Sequence, residues 1–81
     1  MKSQATPKFW KLYVTLPHRI QQQSRKAYQI WKVNPRHPSL RFKRVDDQEP
    51  IYSARVNNDY RVLGLLRGDT VLWFWIGNHD E

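Results

Sequence analysis

The sequence predicts an α+β domain, because a helical half precedes a strand half along the chain. In the first half, apolar residues recur with the 3.6-residue period of amphipathic helices. In the second half, short runs either alternate or are wholly apolar, and turn residues separate them. We therefore expect one domain over residues 1–81: an N-terminal antiparallel helical hairpin packed on a mainly antiparallel sheet of about four strands.

Two helices are predicted before the first strand. The first is expected over residues 7–16, where Thr6 suits the N-cap and Pro7 suits the first helical position. The second is expected from residue 17 or 18 to residue 33, because the proline that follows pushes the preceding residue out of helical conformation. The short link between them predicts an antiparallel pair.

The strands are predicted after residue 39. Residues 40–45 alternate apolar and basic side chains, which is typical of a strand with one buried and one cationic face. Residues 51–56 and 60–66 are expected to form a hairpin around the turn Asn57–Asp59. Residues 70–76, TVLWFWI, follow a Gly-Asp turn signal and are almost wholly apolar, which predicts a central strand buried on both faces.

The charge distribution indicates an anionic partner. Lys and Arg number 14 against seven Asp and Glu, for a net charge of +7, and every acidic residue lies at or after Asp46. Such asymmetry is typical of proteins that bind nucleic acid or an acidic protein, although a basic domain with no special partner has the same composition. Unless all four Trp are in the core, the surplus predicts an apolar binding surface.

Residues that the chain lacks exclude several kinds of chemistry. Without Cys there is no disulfide and no thiolate nucleophile, which fits a reducing cytoplasm. No apolar run approaches the roughly 20 residues of a membrane span, and the N-terminus lacks the apolar segment of a signal peptide. The sequence supports no metal site and no cofactor, because it has no Cys/His cluster and no Gly-rich phosphate loop. What remains is chemistry by positive charge and positioning, of which metal-free RNA scission is one example.

A pair of arginines is the first candidate site. If Asn57–Asp59 is a three-residue turn, Arg55 faces Arg61 across the hairpin with Cβ atoms about 5 Å apart. Like charges in that position destabilise a sheet unless an anion lies between them, and guanidinium groups bind phosphate oxygens bidentately. The alternative is that both side chains extend into water, or that one is held by Asp59.

Other basic residues extend this candidate site. His79 follows the last strand, so we expect it at the sheet rim near Arg61, where an imidazole can carry a proton to or from a reacting oxygen. The alternative is a surface histidine in a frayed tail. Arg41, Lys43 and Arg44 are expected to form a basic strand edge that attracts RNA phosphates, although such a run is also typical of a solvated face.

Three segments together resemble the RelE/ParE superfamily of type II toxins: NPRHPSLRFKRV, IYSARVNNDYRVLGL and VLWFWIGNHDE. The resemblance covers nearly the whole chain. It implies a sheet packed on a helical hairpin and an antitoxin whose tail wraps the toxin; some members cut mRNA on the ribosome and others inhibit DNA gyrase. It also implies that Arg61 matches a family arginine, that Arg55 replaces a family lysine, and that His79 stands where many relatives carry arginine.

The chain departs from the family pattern in three places. Met1–Thr6 looks too short and polar for the strand that usually opens the fold, the tyrosine that usually follows the last motif is absent after Glu81, and Ser53 replaces a basic residue of the RNA-cutting members. The expected function is a cytoplasmic toxin that cleaves mRNA on the ribosome, represses translation and is neutralised by an acidic antitoxin. The alternatives are a toxin of the same fold that acts on gyrase or another protein, and a non-catalytic remnant that binds RNA or antitoxin.

Overall fold

Five strands, two α-helices and one 3-10 turn make up the computed structural model, which describes residues 1–79. In chain order the elements are β1 Lys2–Ala5, α1 Pro7–Tyr13, α2 His18–Val33, the 3-10 turn Pro38–Leu40, β2 Lys43–Arg44, β3 Ile51–Arg55, β4 Tyr60–Arg67 and β5 Thr70–Asn78. No helix within these residues combines the length and apolar character needed to span a lipid bilayer.

The sheet has the order β1-β5-β4-β3-β2, with β1 parallel to β5 and every other pair antiparallel. The expectation that Met1–Thr6 is too short and polar to form a strand is wrong, because Lys2–Ala5 form β1. Its ends are fixed by backbone hydrogen bonds from Lys2 N to Asp69 O (2.8 Å) and from Thr6 N to Trp73 O (2.9 Å), so pairing with β5 rather than side-chain pattern makes the strand. The sheet of residues 1–79 therefore has five strands instead of about four, and a strand rather than a helix opens the chain.

The helices begin where the sequence predicts. The Thr6 side chain accepts a hydrogen bond from Phe9 N (3.1 Å), which caps α1 as expected. Helix α1 ends at Tyr13, earlier than predicted, because the chain tightens into a turn in which Thr15 N donates to Leu12 O (3.2 Å) before the next proline. Helix α2 ends at Val33 as expected.

The core lies between the helices and one face of the sheet. Its buried residues are Phe9, Trp31, Leu40, Ala54, Val71, Trp73 and Ile76. A Cβ on Gly64 would lie 2.4 Å from Val71 Cγ1 and 2.7 Å from Trp73 Cε3, so the absence of a side chain at Gly64 lets Trp73 cross β4 closely. The helices therefore cover only the face that carries these residues.

Two strand predictions are wrong, one about the length of a strand and one about its burial. Of the expected strand 40–45 only β2 pairs with β3, because Leu40 is buried in the core at the end of the 3-10 turn and Arg41 follows in the left-handed conformation (φ 46°). The strand β5 is internal, but it is not buried on both faces. Trp73 is buried on the helix side, whereas Leu72 and Trp75 on the other side are half-buried, because no helix covers them.

Candidate nucleic-acid interface

The candidate site lies on the side of the sheet that the helices leave uncovered, which we call the open face. Residues paired across antiparallel strands project to the same side. One cross-strand row is formed by Lys43, Ser53, Leu63 and Trp75, and the next row by Arg55, Arg61 and Gly77. Ala54, which alternates with these residues on β3, is buried in the core on the opposite side. Three of the predicted basic residues therefore share the open face with a tryptophan.

Arg55 and Arg61 are directly opposite each other in the β3–β4 ladder, as the turn length predicts. Each guanidinium is turned toward the hairpin turn. Arg55 Nη2 donates to Asn58 Oδ1 at 2.5 Å, and Arg61 Nη1 donates to Asn57 O and to Tyr60 O. Oxygen atoms of the turn thus accept hydrogen bonds from both half-buried arginine side chains, which lie next to each other.

Asn57 organises the turn that holds the two arginines. Its Oδ1 accepts hydrogen bonds from Asp59 N (2.8 Å) and Tyr60 N (2.9 Å), which is the pattern of an Asx turn. Its Nδ2 donates to Gln23 Oε1 on α2 at 2.7 Å. The sequence indicated a turn here but not this anchoring role, because Gln23 and Asn57 are 34 residues apart.

His79 lies at the same end of the sheet as the arginine pair. Its backbone N donates to Asp59 O (2.8 Å) and so continues the β4–β5 ladder one step beyond the pair of Tyr60 with Asn78. The His79 side chain is exposed. The structure therefore brings the three residues expected to carry the chemistry to one end of the sheet.

The three basic residues before the acidic loop do not form one edge. Lys43 pairs with Ser53 and is exposed on the open face. The Arg44 side chain instead contacts the loop that follows β2, where its Nε donates to Asp46 O at 2.9 Å. Arg41 lies outside the strand in its left-handed turn. Only Lys43 of the three therefore lies in a row next to the arginine pair.

The Asp46 carboxylate closes the loop between β2 and β3. Its Oδ1 accepts hydrogen bonds from Glu49 N and Gln48 N, each at 2.8 Å. These two N–H groups, Glu49 first, hold the pKa of Asp46 below its ordinary value of 3.8, and the nearby charge of Arg44 contributes less in the same direction. The Asp46 carboxylate therefore stabilises the loop conformation.

A second surface lies on the side of the sheet that the helices cover, and Arg55 is among the residues that border it. Between the helices and the sheet is a cavity of about 310 Å³ with a mainly apolar lining, which we call the apolar groove. Trp10 and Tyr28 line it and are 50% and 40% exposed. Trp31 and Trp73 are buried and Trp75 is half-buried, so Trp10 is the most exposed of the four tryptophans. It therefore fits the expected apolar binding surface best.

Comparison with known proteins identifies both a domain family and a fold. The profile of the ParE-like toxin domain matches residues 18–81. No curated protein sequence matches. At 11–15% identity, the solved structures below show that the fold is shared.

The Escherichia coli DinJ–YafQ toxin–antitoxin complex gives a TM-score of 0.78 at 11% identity and covers 98% of this chain and 92% of that chain. The YoeB/ParE toxin of Agrobacterium tumefaciens gives 0.75 at 15% identity, over 98% and 99% of the two chains. The archaeal RelE–RelB complex of Pyrococcus horikoshii OT3 gives 0.75 at 15% identity, over 95% and 92%.

Proposed function

Because the chain belongs to the ParE-like toxin domain family, we propose that it is the toxin of a type II toxin–antitoxin system and a metal-free, ribosome-dependent mRNA endonuclease. It represses translation in the cytoplasm. The observation that carries this proposal is the direct pairing of Arg55 with Arg61 on an uncovered sheet face. Two adjacent guanidinium groups suit a phosphate, because each can donate two hydrogen bonds to its oxygens.

The proposed reaction is an internal transesterification. The 2′-hydroxyl of the RNA attacks the adjacent phosphorus and passes its proton to solvent water. The bond from phosphorus to the 5′ oxygen breaks, and that oxygen takes up a proton from His79. The products are a 2′,3′-cyclic phosphate and a 5′-hydroxyl. Arg55 and Arg61 stabilise the charge that develops on the phosphoryl oxygens, and His79 donates the proton to the leaving oxygen.

The turn supports this role because it holds the cations before substrate arrives. Donors that are already oriented need little reorganisation during the reaction, and this is a main source of electrostatic catalysis. The hydrogen bonds of Arg55 to Asn58 and of Arg61 to Asn57 and Tyr60 restrain both side chains in this way.

Lys43 can supply the positive charge that Ser53 lacks. The resemblance to RNA-cutting toxins calls for a basic side chain at that position, and Ser53 cannot supply one. Lys43 is directly opposite Ser53 on the neighbouring strand, on the same face. We propose that Lys43 replaces the missing cation from β2 and binds an RNA phosphate next to the scissile one.

A cognate acidic antitoxin is the proposed partner. The solved relatives include a RelE–RelB complex and a DinJ–YafQ toxin–antitoxin complex. Here the apolar groove exposes Trp10 and Tyr28, and the first 45 residues carry only basic charge. An amphipathic acidic segment matches both features, because helix or strand addition to an apolar groove is a standard mode of peptide capture.

Expression without a partner tests the proposal. Induction in bacteria is expected to arrest translation and growth, with mRNA cut in ribosome-bound regions, and purified protein is expected to cut mRNA on programmed ribosomes. Growth arrest with intact mRNA and altered DNA supercoiling would instead identify a gyrase toxin. Normal growth with intact mRNA, at verified levels of folded protein, would identify a non-catalytic remnant.

A further inference from the structure

Trp75 covers the backbone of Gly77 on the open face. A Cβ on Gly77 would lie 2.7 Å from Trp75 Cζ2 and 2.8 Å from its Cη2, so the six-membered ring of the indole lies over that glycine. Gly77 is paired directly with Arg61. The ring therefore occupies the place where a side chain of residue 77 would stand, one strand away from Arg61, or about 4.8 Å in the hydrogen-bonding direction.

Trp75 differs from the tryptophan that covers the other strand glycine. Trp73 lies over Gly64 on the helix side, is buried, and contacts the Trp31 ring edge-to-face with centroids 5.3 Å apart. Trp75 is half-buried on the side without helices, and none of the ring–ring contacts within residues 1–79 involves it. Trp73 belongs to the core, whereas Trp75 lies outside it, on the side of the sheet that the helices leave uncovered.

We propose that Trp75 is a stacking platform for a nucleobase of single-stranded RNA, beside the phosphate held by Arg55 and Arg61. The inference rests on the proposed function and adds a base subsite to it. Sites for single strands combine cations that follow the phosphate backbone with aromatic rings that stack on bases. Here the ring lies in the same row as Lys43 and next to the row of the arginine pair.

The charges around Trp75 favour RNA over an apolar protein segment as the occupant. The rows that carry the ring also carry Lys43, Arg55 and Arg61, and Ser53 and Leu63 lie between Lys43 and Trp75. A protein segment placed there would have to desolvate these cations, whereas RNA brings a phosphate and a base in one nucleotide. Since every base has a π-face, the platform is expected to bind without strong base preference.

A substitution series separates stacking from simple covering of Gly77. Trp75→Leu keeps an apolar side chain over the glycine and removes the aromatic face, whereas Trp75→Phe keeps a smaller aromatic face. Leu72→Ala is the control, because Leu72 is also half-buried on this side of the sheet but pairs with Leu65, away from the arginine pair. Cleavage of mRNA on programmed ribosomes gives kcat/KM, and thermal unfolding of each protein verifies the fold.

The second arm of the experiment replaces the bases next to the scissile phosphate with an abasic nucleotide, one position at a time. We expect Trp75→Leu to lower kcat/KM about 5-fold to 150-fold, the range for one lost base stack, and Trp75→Phe and Leu72→Ala to lower it much less. At one abasic position, wild type and Trp75→Leu should become equal, because the interaction that distinguishes them is gone. A purely structural role for Trp75 would give the same ratio on every substrate.

The outcomes separate this inference from the proposed function. Two results would overturn the platform alone. In the first, cleavage needs Arg61 but is equally fast with wild type and Trp75→Leu. In the second, Trp75→Leu lowers cleavage, but no abasic position makes it equal to wild type. Absence of cleavage by folded wild-type protein overturns both. If Trp75→Leu does not fold, the same comparison with Trp75→Phe decides: its difference from wild type must disappear at an abasic position, and a difference that persists at all of them overturns the platform.

Discussion

Gln23 on α2 and Asn57 in the β3–β4 turn are joined by a hydrogen bond of 2.7 Å from Asn57 Nδ2 to Gln23 Oε1. Asn57 also accepts the N–H groups of Asp59 and Tyr60, and its carbonyl accepts from Arg61. One amide side chain therefore connects the helical layer to the turn that restrains the arginine pair. The position of the cations depends on a contact between the two halves of the chain.

Substitution of Asn57 tests this connection. Asn57→Ala removes all three side-chain hydrogen bonds, so we expect the free energy of unfolding to fall by about 1–3 kcal/mol and mRNA cleavage to fall further than the folded fraction does. Asn57→Asp is the matched control, because it keeps the two acceptor bonds and loses only the donor to Gln23. Denaturant unfolding and cleavage are measured together, and wild-type values for Asn57→Ala would contradict the anchoring role.

Gly64 is expected to tolerate no larger residue. A Cβ there would meet Val71 Cγ1 at 2.4 Å and Trp73 Cε3 at 2.7 Å, so Gly64→Ala should destabilise the fold by about 1–3 kcal/mol through overpacking. The control is Gly68→Asn, because Gly68 has φ +61° with nothing within 4 Å, and Asn adopts that conformation readily. Thermal unfolding should place Gly68→Asn within about 0.5 kcal/mol of wild type. Equal stability of both variants would argue against close packing over β4.

Asp46 gives the structure a dependence on acid pH. Its folded-state pKa is lowered, chiefly by the N–H groups of Glu49 and Gln48, so the stabilisation it provides is present above the unfolded pKa and is lost as pH falls through the folded pKa. An NMR titration should place the midpoint of the Asp46 carboxyl below 3.8. In Asp46→Asn the loop should lose this acid sensitivity. A midpoint at or above the ordinary value would show that the carboxylate does not hold the loop.

The apolar groove is expected to carry the antitoxin contact. Trp10→Ala should weaken antitoxin binding by about 2 kcal/mol or more, because large half-exposed aromatics in a groove are frequent hot spots. Val33→Ala is the control, since Val33 is 88% exposed and does not line the groove. Calorimetry measures both affinities, and stopped-flow association should slow as salt increases. An unchanged affinity for Trp10→Ala would place the antitoxin elsewhere.

Local signals predicted much of the fold and the centre of the candidate site. The long amphipathic repeat predicted α2 to within a residue, and Thr6 marked the start of α1, because both depend on neighbours in the chain. The facing of Arg55 and Arg61 followed from turn length, since a three-residue turn determines the register of a hairpin.

The features that the sequence did not reveal depend on distant partners. The strand β1 forms because its backbone pairs with β5, and its polar side chains carry no signal of that. The alternation in residues 40–45 indicated a strand, but the core contact of Leu40 ends the pattern early. The indole of Trp75 over Gly77 could not be inferred from an almost wholly apolar run, because a β-bulge in the β4–β5 ladder shifts the register that decides which side each tryptophan takes.

Arg61 allows the most direct test of the central claim, measured as cleavage of mRNA on programmed ribosomes together with thermal unfolding of the same preparation. Arg61→Ala should lower kcat about 100-fold to 1000-fold, the effect of losing one well-placed stabiliser of developing charge. Its unfolding free energy should fall by about 1–3 kcal/mol, because the hydrogen bonds that the charged guanidinium donates to Asn57 and Tyr60 are lost. Arg61→Lys should recover part of the rate, since a point charge cannot replace the guanidinium fork. Wild-type cleavage by folded Arg61→Ala, or a loss that only follows the unfolded fraction, would contradict the account.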